Sequence, residues 1–230
     1  MKLDLATLES EGFLVIERFL EPDECNRLRG LAETALGSQP TAGDRNILRE
    51  TWVREVAQHS EIRIWVEAAI GADGVPIRAI LFDKSPGANW NLGYHQDRGV
   101  SFAERVEAPG FVGWSVKDGV PHAIAPAVLL ERMVTIRLSL DACSRDNGPL
   151  RVLPGTHRRG VIPKSEISAI REGIEEMSCT TEEGGVVIMR PLLLHASSAA
   201  TVPSHRRVLH LEFGPSDPGH GLRYYDWGSR

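Results

Sequence analysis

His95 and Asp97 stand two residues apart in Tyr94-His95-Gln96-Asp97, and His195 follows much later in Arg190-Pro191-Leu192-Leu193-Leu194-His195-Ala196-Ser197. On a strand, a separation of two puts both side chains on one face and turns Gln96 to the other. An imidazole and a carboxylate that converge this way can hold a divalent metal, with His195 as third ligand. Two histidines and one carboxylate on one face of an ion, with the other positions open, form the facial triad of non-haem Fe(II) oxygenases. A short His-x-Asp also arises by chance, His95 then being a surface histidine and Asp97 a turn residue. The residues downstream of His195 weigh between the two.

A site of this kind needs a frame, and the composition allows one. With 230 residues the chain can bury a substantial core. A net charge of -5 without a basic stripe disfavours nucleic acid as a partner. Cys25, Cys143 and Cys179 are odd in number and widely spaced, which suits free thiols in a reducing cytoplasm. The N-terminal residues show no signal-peptide pattern, and no apolar run reaches the length of a membrane span. The expected partner is a small-molecule substrate; oligomeric state leaves no mark.

Along the chain, Leu5 and Leu8 suggest a short helix ending before Gly12, and Phe13-Leu14-Val15-Ile16 is short enough for a strand. Pro22-Asp23-Glu24 opens a helix that continues through Leu28, Leu31, Ala32 and Leu36 and stops at Gly37. Residues 38–48 read as a loop, and 62–70 as a second helix stopped by Gly71. From Ile77 the pattern turns to strands at 77–82, 133–140, 186–189 and 208–213, between glycine and proline loops. Helices first and strands later point to an antiparallel sandwich or barrel with helices outside. On the strand from Met133, residues Val134, Ile136, Leu138 and Leu140 make an apolar face for the helices. Thr135, Arg137, Ser139 and Asp141 make a polar face that looks into a site or into solvent. Residues 98–130 read as a long irregular lid or surface excursion.

Several segments, in order, resemble one family. They are Gly12-Phe13-Leu14-Val15-Ile16 with Phe19-Leu20-Glu21-Pro22, and His95-Gln96-Asp97. Next come Leu140-Asp141 with Asn147-Gly148-Pro149-Leu150-Arg151-Val152-Leu153-Pro154-Gly155-Thr156-His157, and then His195, Ser197 and Arg206. From about residue 12 to 213 the chain resembles the phytanoyl-CoA dioxygenase family of Fe(II)/2-oxoglutarate oxygenases. The resemblance implies a mainly β fold, a double-stranded β-helix (a jelly-roll, cupin-like barrel) buttressed by N-terminal helices. It implies one domain over 1–230, with the buttress at about 1–75 and the barrel at about 76–215. It also implies Fe(II) on His95, Asp97 and His195, 2-oxoglutarate as co-substrate, O2 as oxidant, and hydroxylation of a small molecule with release of succinate and CO2. Asn147-Gly148 and Pro154-Gly155 become turns that shape the barrel, as their residue types also suggest. His157 becomes structural.

The same resemblance assigns the distal carboxylate of 2-oxoglutarate to Arg206 and Ser197, and places Trp114 near the co-substrate. Residue types alone leave Arg206 and Arg207 both open. Arg206 shares a strand face with Val208, His210 and Glu212, whereas Arg207 shares one with Leu209, Leu211 and Phe213. A guanidinium suits the task because its planar fork binds a carboxylate bidentately and stays charged when buried. Related halogenases replace the metal-binding carboxylate by a small residue; Asp97 therefore favours oxygenation. A binding domain without turnover, or a cupin-type metalloenzyme without 2-oxoglutarate, are the competing readings. The family's substrates range over acyl-CoA thioesters, ectoine-like osmolytes and natural-product intermediates. Lys84, Lys117 and Arg137 are candidates for a substrate carboxylate, and Arg45, Arg49 and Arg54 read as a solvated basic surface.

Overall fold

Short apolar stripes open the chain and become helices where the sequence supplies caps. The computed structural model describes residues 3–37 and 41–228. Its first helix, α1 (Leu5–Glu11), is capped by the Asp4 carboxylate, which accepts the Thr7 N–H, and ends at Gly12 with φ 84°. A Cβ there would lie 2.3 Å from His157 Nδ1, so the turn needs glycine for both conformation and space. The strand β1 (Phe13–Ile16) leads to α2 (Pro22–Leu36), with proline in its first turn and Asp23 and Glu24 at its positive end. Two further helices follow, α3 (Thr51–Ala57) and α4 (Ser60–Ile70). The expected helix over 62–70 is α4, begun two residues earlier where His59 accepts the Glu61 N–H. α3 is not among the helices expected above, although Trp52, Val53 and Val56 are spaced for one buried helical face.

The expected loop over 38–48 is only partly a loop. Pro40 lies outside the described residues, while β2 (Gly43–Asp44) extends a sheet edge and Ile47–Arg49 form a 3-10 turn. Arg49 pairs with Asp44 at 3.1 Å through NH1, and Arg54 donates to the carbonyl of Leu48 at 3.1 Å. Those two arginines hold this segment together.

The expected strands pair antiparallel; those at 77–82 and 208–213 extend, that at 133–140 is shorter by a residue at each end, and that at 186–189 stands as expected. β3 (Gly74–Lys84), β8 (Val134–Ser139), β11 (Val186–Met189) and β13 (Arg206–Pro215) join β1 and β2 in the order β1-β11-β8-β13-β3-β2. A second sheet, of order β10-β9-β12-β4, contains β4 (Leu92–His95), β9 (Leu150–Val152), β10 (Met177–Cys179) and β12 (His195–Ser197). These two sheets are the walls of a jelly-roll barrel, and the residues on their facing sides line one cavity. The segment read as an irregular lid over 98–130 is instead a third sheet. It holds β5 (Gly99–Ser101), β6 (Val112–Lys117) and β7 (Val120–Ile124) in the order β5-β7-β6, followed by α5 (Ala127–Leu130). It has its own apolar cluster, including Phe102 and Phe111. The last helix is α6 (Ile167–Gly173).

Period-two alternation decides what lies on each side of the large sheet. Ile136 and Leu138 of β8, with Leu209, Leu211 and Phe213 of β13, pack against Leu28, Ile62 and Trp65 of the helices in one core. Each such burial is worth roughly 1.5–3 kcal/mol, so this layer holds the short helices in place more than their propensity does. Thr135, Arg137 and Ser139 are buried on the opposite, inward face. Asp141, expected with them, lies past the end of β8, where its Oδ2 accepts the Arg207 N–H at 2.8 Å on the helical side. Beyond β13 the chain returns to the core, and buried Trp227 donates from Nε1 to the Ile77 carbonyl at 2.8 Å.

Candidate active site

Strand pairing brings the three metal-ligand candidates together. His95 is the last residue of β4 and stands directly opposite His195, the first residue of β12. Asp97 lies beyond the end of β4, so the period of two is not what aligns it with His95. Its backbone N–H donates to the Pro191 carbonyl at 2.9 Å, which anchors the turn. Gln96 points away as expected, and it is tied down. Its amide donates to the carbonyls of Gly160 and Leu192 at 2.8 and 2.7 Å, and its oxygen accepts the Ile162 N–H.

Each histidine is oriented by its own backbone. Nδ1 of His95 donates to the Gly93 carbonyl and Nδ1 of His195 to that of Leu193, both at 2.9 Å. That turns both Nε2 atoms toward Asp97, at 3.6 Å from Oδ1 and 3.4 Å from Oδ2 respectively, as the ring atoms left to meet an ion. One donor atom from each of the three residues lies within 4.8 Å of the others. Asp97 Oδ2 is buried without a hydrogen-bond partner, a cost that a bound cation would remove. Burial raises the Asp97 carboxyl, but His195 and its neighbours outweigh this and hold it well below the usual carboxylate range. The donor set fits Fe(II), and one side of it is open to the cavity.

That cavity lies between the two sheets and opens to solvent. Arg206 lies in its wall, buried, donating from NH1 to the Gly148 carbonyl and leaving Nε without a partner. Ser197 Oγ donates to the same carbonyl at 3.1 Å and accepts from Lys84 Nζ at 3.0 Å. Gly148, at φ 70°, makes this crowding possible: a Cβ there would lie 2.3 Å from the Ser198 carbonyl oxygen and 2.8 Å from Lys84 Nζ. Arg207 turns away, to Glu33 Oε1 of α2 at 3.1 Å. The two adjacent arginines therefore separate as their strand faces predicted.

Trp114 does not join them. It sits on β6 in the third sheet, its ring 5.6 Å from that of Phe102, and it is not among the residues lining the cavity. The aromatic walls are Phe82 and Trp90, with Ile80, Leu92 and Leu150. Trp90 carried no periodic signal, being in the loop before β4; Phe82 looked like an ordinary strand residue. Of the three substrate-anion candidates, Arg137 lines the cavity, Lys84 is buried beside Ser197, and Lys117 ends β6 on the exposed surface. Burial and then Arg206 push the Lys84 ammonium down to about 7. His210 adds a layer behind the triad. Its Nε2 lies 3.8 Å from Asp97 Oδ2 and 3.2 Å from Glu212 Oε1, and Glu212 pairs with Arg78 at 2.5 Å. His157 is remote, with Nε2 on the Glu9 carbonyl at 3.1 Å, a structural role as expected.

A family model described as phytanoyl-CoA dioxygenase matches residues 8–208. An ectoine dioxygenase of Nocardia farcinica is 24% identical over 91% of this chain and 76% of its own length. A peroxisomal phytanoyl-CoA dioxygenase of Rattus norvegicus is 21% identical over 91% of this chain and 67% of its own. Among solved structures, EctD from S. alaskensis superposes with a TM-score of 0.70 at 17% identity, covering 91% of this chain and 75% of EctD. HygX from Streptomyces hygroscopicus, solved with nickel and 2-oxoglutarate bound, superposes at 0.66 with 15% identity, covering 92% and 85%. Likenesses at that identity show the shared fold.

Proposed function

The chain belongs to the phytanoyl-CoA dioxygenase family and is an Fe(II)- and 2-oxoglutarate-dependent oxygenase, and we propose that it hydroxylates a small molecule with release of succinate and CO2. His95, Asp97 and His195 would hold the iron, and Arg206 with Ser197 would receive the distal carboxylate of 2-oxoglutarate. The observation that carries this reading is the meeting, in one cavity, of three oriented ligand atoms and a buried guanidinium without a carboxylate partner.

Bound iron with 2-oxoglutarate and O2 supplies the oxidising power. The chain's own residues do the rest. The Gly93 and Leu193 carbonyls hold the two imidazoles in the tautomer that presents Nε2. Gln96 pins the turn that carries Asp97. Phe82, Trp90, Ile80 and Leu92 give the space a substrate would fill an apolar wall. The carboxylate of Asp97 supports oxygenation over halogenation, since it occupies the place a halide would need.

We take the chain as one catalytic domain, helical layer first and barrel after. The three cysteines are free and buried, in keeping with a reducing cytoplasm. The substrates named for the two relatives, ectoine and phytanoyl-CoA, make a small polar solute and an acyl thioester the first compounds to try.

The test is an anaerobic titration of the Fe(II)-loaded protein with 2-oxoglutarate, following its weak visible charge-transfer band. The band is expected in the wild type and absent after His195→Ala; Arg206→Met should shift it to much higher 2-oxoglutarate concentration. Iron bound without any band in the wild type would point instead to a metalloenzyme that does not use 2-oxoglutarate.

A further inference from the structure

Arg137 is left over by the roles given above. It rises from the middle of β8 opposite His210 of β13, and its side chain lines the cavity. It is buried, yet among the described residues no carboxylate comes within ion-pair distance of it. Its single hydrogen bond joins NH1 to His210 Nδ1 at 2.6 Å, and its guanidinium carbon lies 5.5 Å from the centre of the Phe82 ring. His210 does not supply the missing charge. Its Nδ1 accepts from Arg137, so its proton sits on Nε2, facing Glu212, and the ring is neutral. Glu212 is already matched by Arg78.

Arg206 is in the same condition, with the neutral Gly148 carbonyl as its partner. Two buried guanidinium groups thus face one cavity without a paired carboxylate, and they repel each other; Asp97, the anion of the same cavity, is the one that would be taken up by the metal. Burial and then Arg206 push Arg137 down to about 10. An arrangement this unfavourable when empty is well matched by a ligand that brings two negative charges. The placement of the two cations also distinguishes their ends. Arg137 shares a rung with His210, whose Nε2 is 3.8 Å from Asp97 Oδ2, so it belongs to the metal end. Arg206 stands on the rung of Lys84, farther along β13.

We propose that Arg137 is a second co-substrate-binding residue, holding the metal-side carboxylate of 2-oxoglutarate while Arg206 holds the distal one. The inference rests on the 2-oxoglutarate reading given above. It gives the guanidinium fork a planar anion to meet. It also withdraws Arg137 from the candidates for a substrate carboxylate.

The test compares 2-oxoglutarate with 2-oxovalerate, which keeps the metal-side 2-oxo acid and lacks the distal carboxylate. Both are titrated by calorimetry and by the visible band into anaerobic, Fe(II)-loaded wild type, Arg137→Met, Arg137→Lys and Arg206→Met, with Fe(II) affinity measured alongside. Arg206→Met should weaken 2-oxoglutarate about ten-fold or more and leave 2-oxovalerate almost unchanged. Arg137→Met should weaken both acids by about the same ten-fold or greater factor, with Fe(II) affinity retained. Arg137→Lys, which keeps the charge and loses the fork, should fall between and carries the test if Arg137→Met does not fold.

Wild-type affinity for both acids in the Arg137 variants overturns the proposal. So does an effect seen only after a primary substrate is added, which assigns Arg137 to that substrate, or a loss of Fe(II) binding, which assigns it to the support of Asp97 through His210. Wild-type protein that binds Fe(II) and responds to neither acid defeats the 2-oxoglutarate reading itself, a result distinct from the others.

Discussion

Asp97 combines a buried, unpartnered oxygen with a carboxyl held well below its usual range, burial opposing and His195 prevailing. An anion kept in that state is ready for a cation, and Asp97→Ala should cost about ten- to a hundred-fold or more in Fe(II) affinity while the fold survives. Calorimetry on the folded variant checks this; an unchanged iron affinity would remove Asp97 from the ligand set. Lys84 makes a second demand on the fold. Its folded pKa of about 7 lies below the ordinary 10.5, so the unfolded chain holds this proton more tightly. Stability should therefore rise with pH between those two values, and Lys84→Met should flatten the rise, as denaturant melts at pH about 7 and about 9.5 will show. The convergence of His95, Asp97 and His195 was legible in the sequence, because the metal site we propose needs particular donor types at particular separations. Trp90 was not, since a loop aromatic has no period to betray the wall it faces. Trp114 was misplaced because a tryptophan near a motif in sequence can belong to another cluster in space.

At the level of elements, alternation carried most of the reading. It sorted Arg206 from Arg207 and the two faces of β8, because a strand with one face under helices and one in a cavity must obey its period. It failed past the end of β8, where Asp141 leaves the ladder and turns to Arg207. It failed again over 98–130, where strands as short as three residues show too few repeats to recognise. Turn chemistry was more informative than its length suggests. Asn147-Gly148 marks a turn by residue type, and the turn is also what lets the Gly148 carbonyl receive Arg206 and Ser197. Gly148→Ala should cost about 1–3 kcal/mol through its positive φ alone, with a further loss from the clash with Ser198, and it should weaken 2-oxoglutarate along with stability. A variant as stable as wild type in urea melts would show that the turn can relax without cost.

Across the whole molecule, the order helices-then-strands was visible because no strand–helix alternation interrupts it, and it led to the correct layer arrangement. The return of the chain after β13 was not visible. Residues beyond 215 lack a periodic pattern, and Trp227 finds its place only through a long-range bond to Ile77. The two sheets are joined by the cavity between them, so ligands that occupy it should stabilise the whole. Iron and 2-oxoglutarate together, at about a hundred-fold over their dissociation constants, would contribute roughly 2.7 kcal/mol per ligand. For a chain of this size each kcal/mol moves the melting point by about 2–4 °C. A rise of roughly 10 °C or more in a thermal scan, reversed by a chelator, is the expected outcome; equal melting points with and without the ligands would deny that the cavity couples the two walls.

The opposition of His95 and His195 has a mechanical side. Among the described residues β4 is an edge strand of its sheet, paired with β12 alone and with an irregular register between them. The ion would tie this edge to its neighbour from residues far apart in sequence, closing a long loop much as a covalent bridge does, but reversibly. Whether the cell supplies iron would then govern how firmly the edge is fastened. Amide hydrogens of β4 and the turn to Asp97 should exchange faster once a chelator has removed the ion, while those of β8 and β13 hold their protection. Uniform exchange in both states would mean that the edge is secured by its backbone bonds alone.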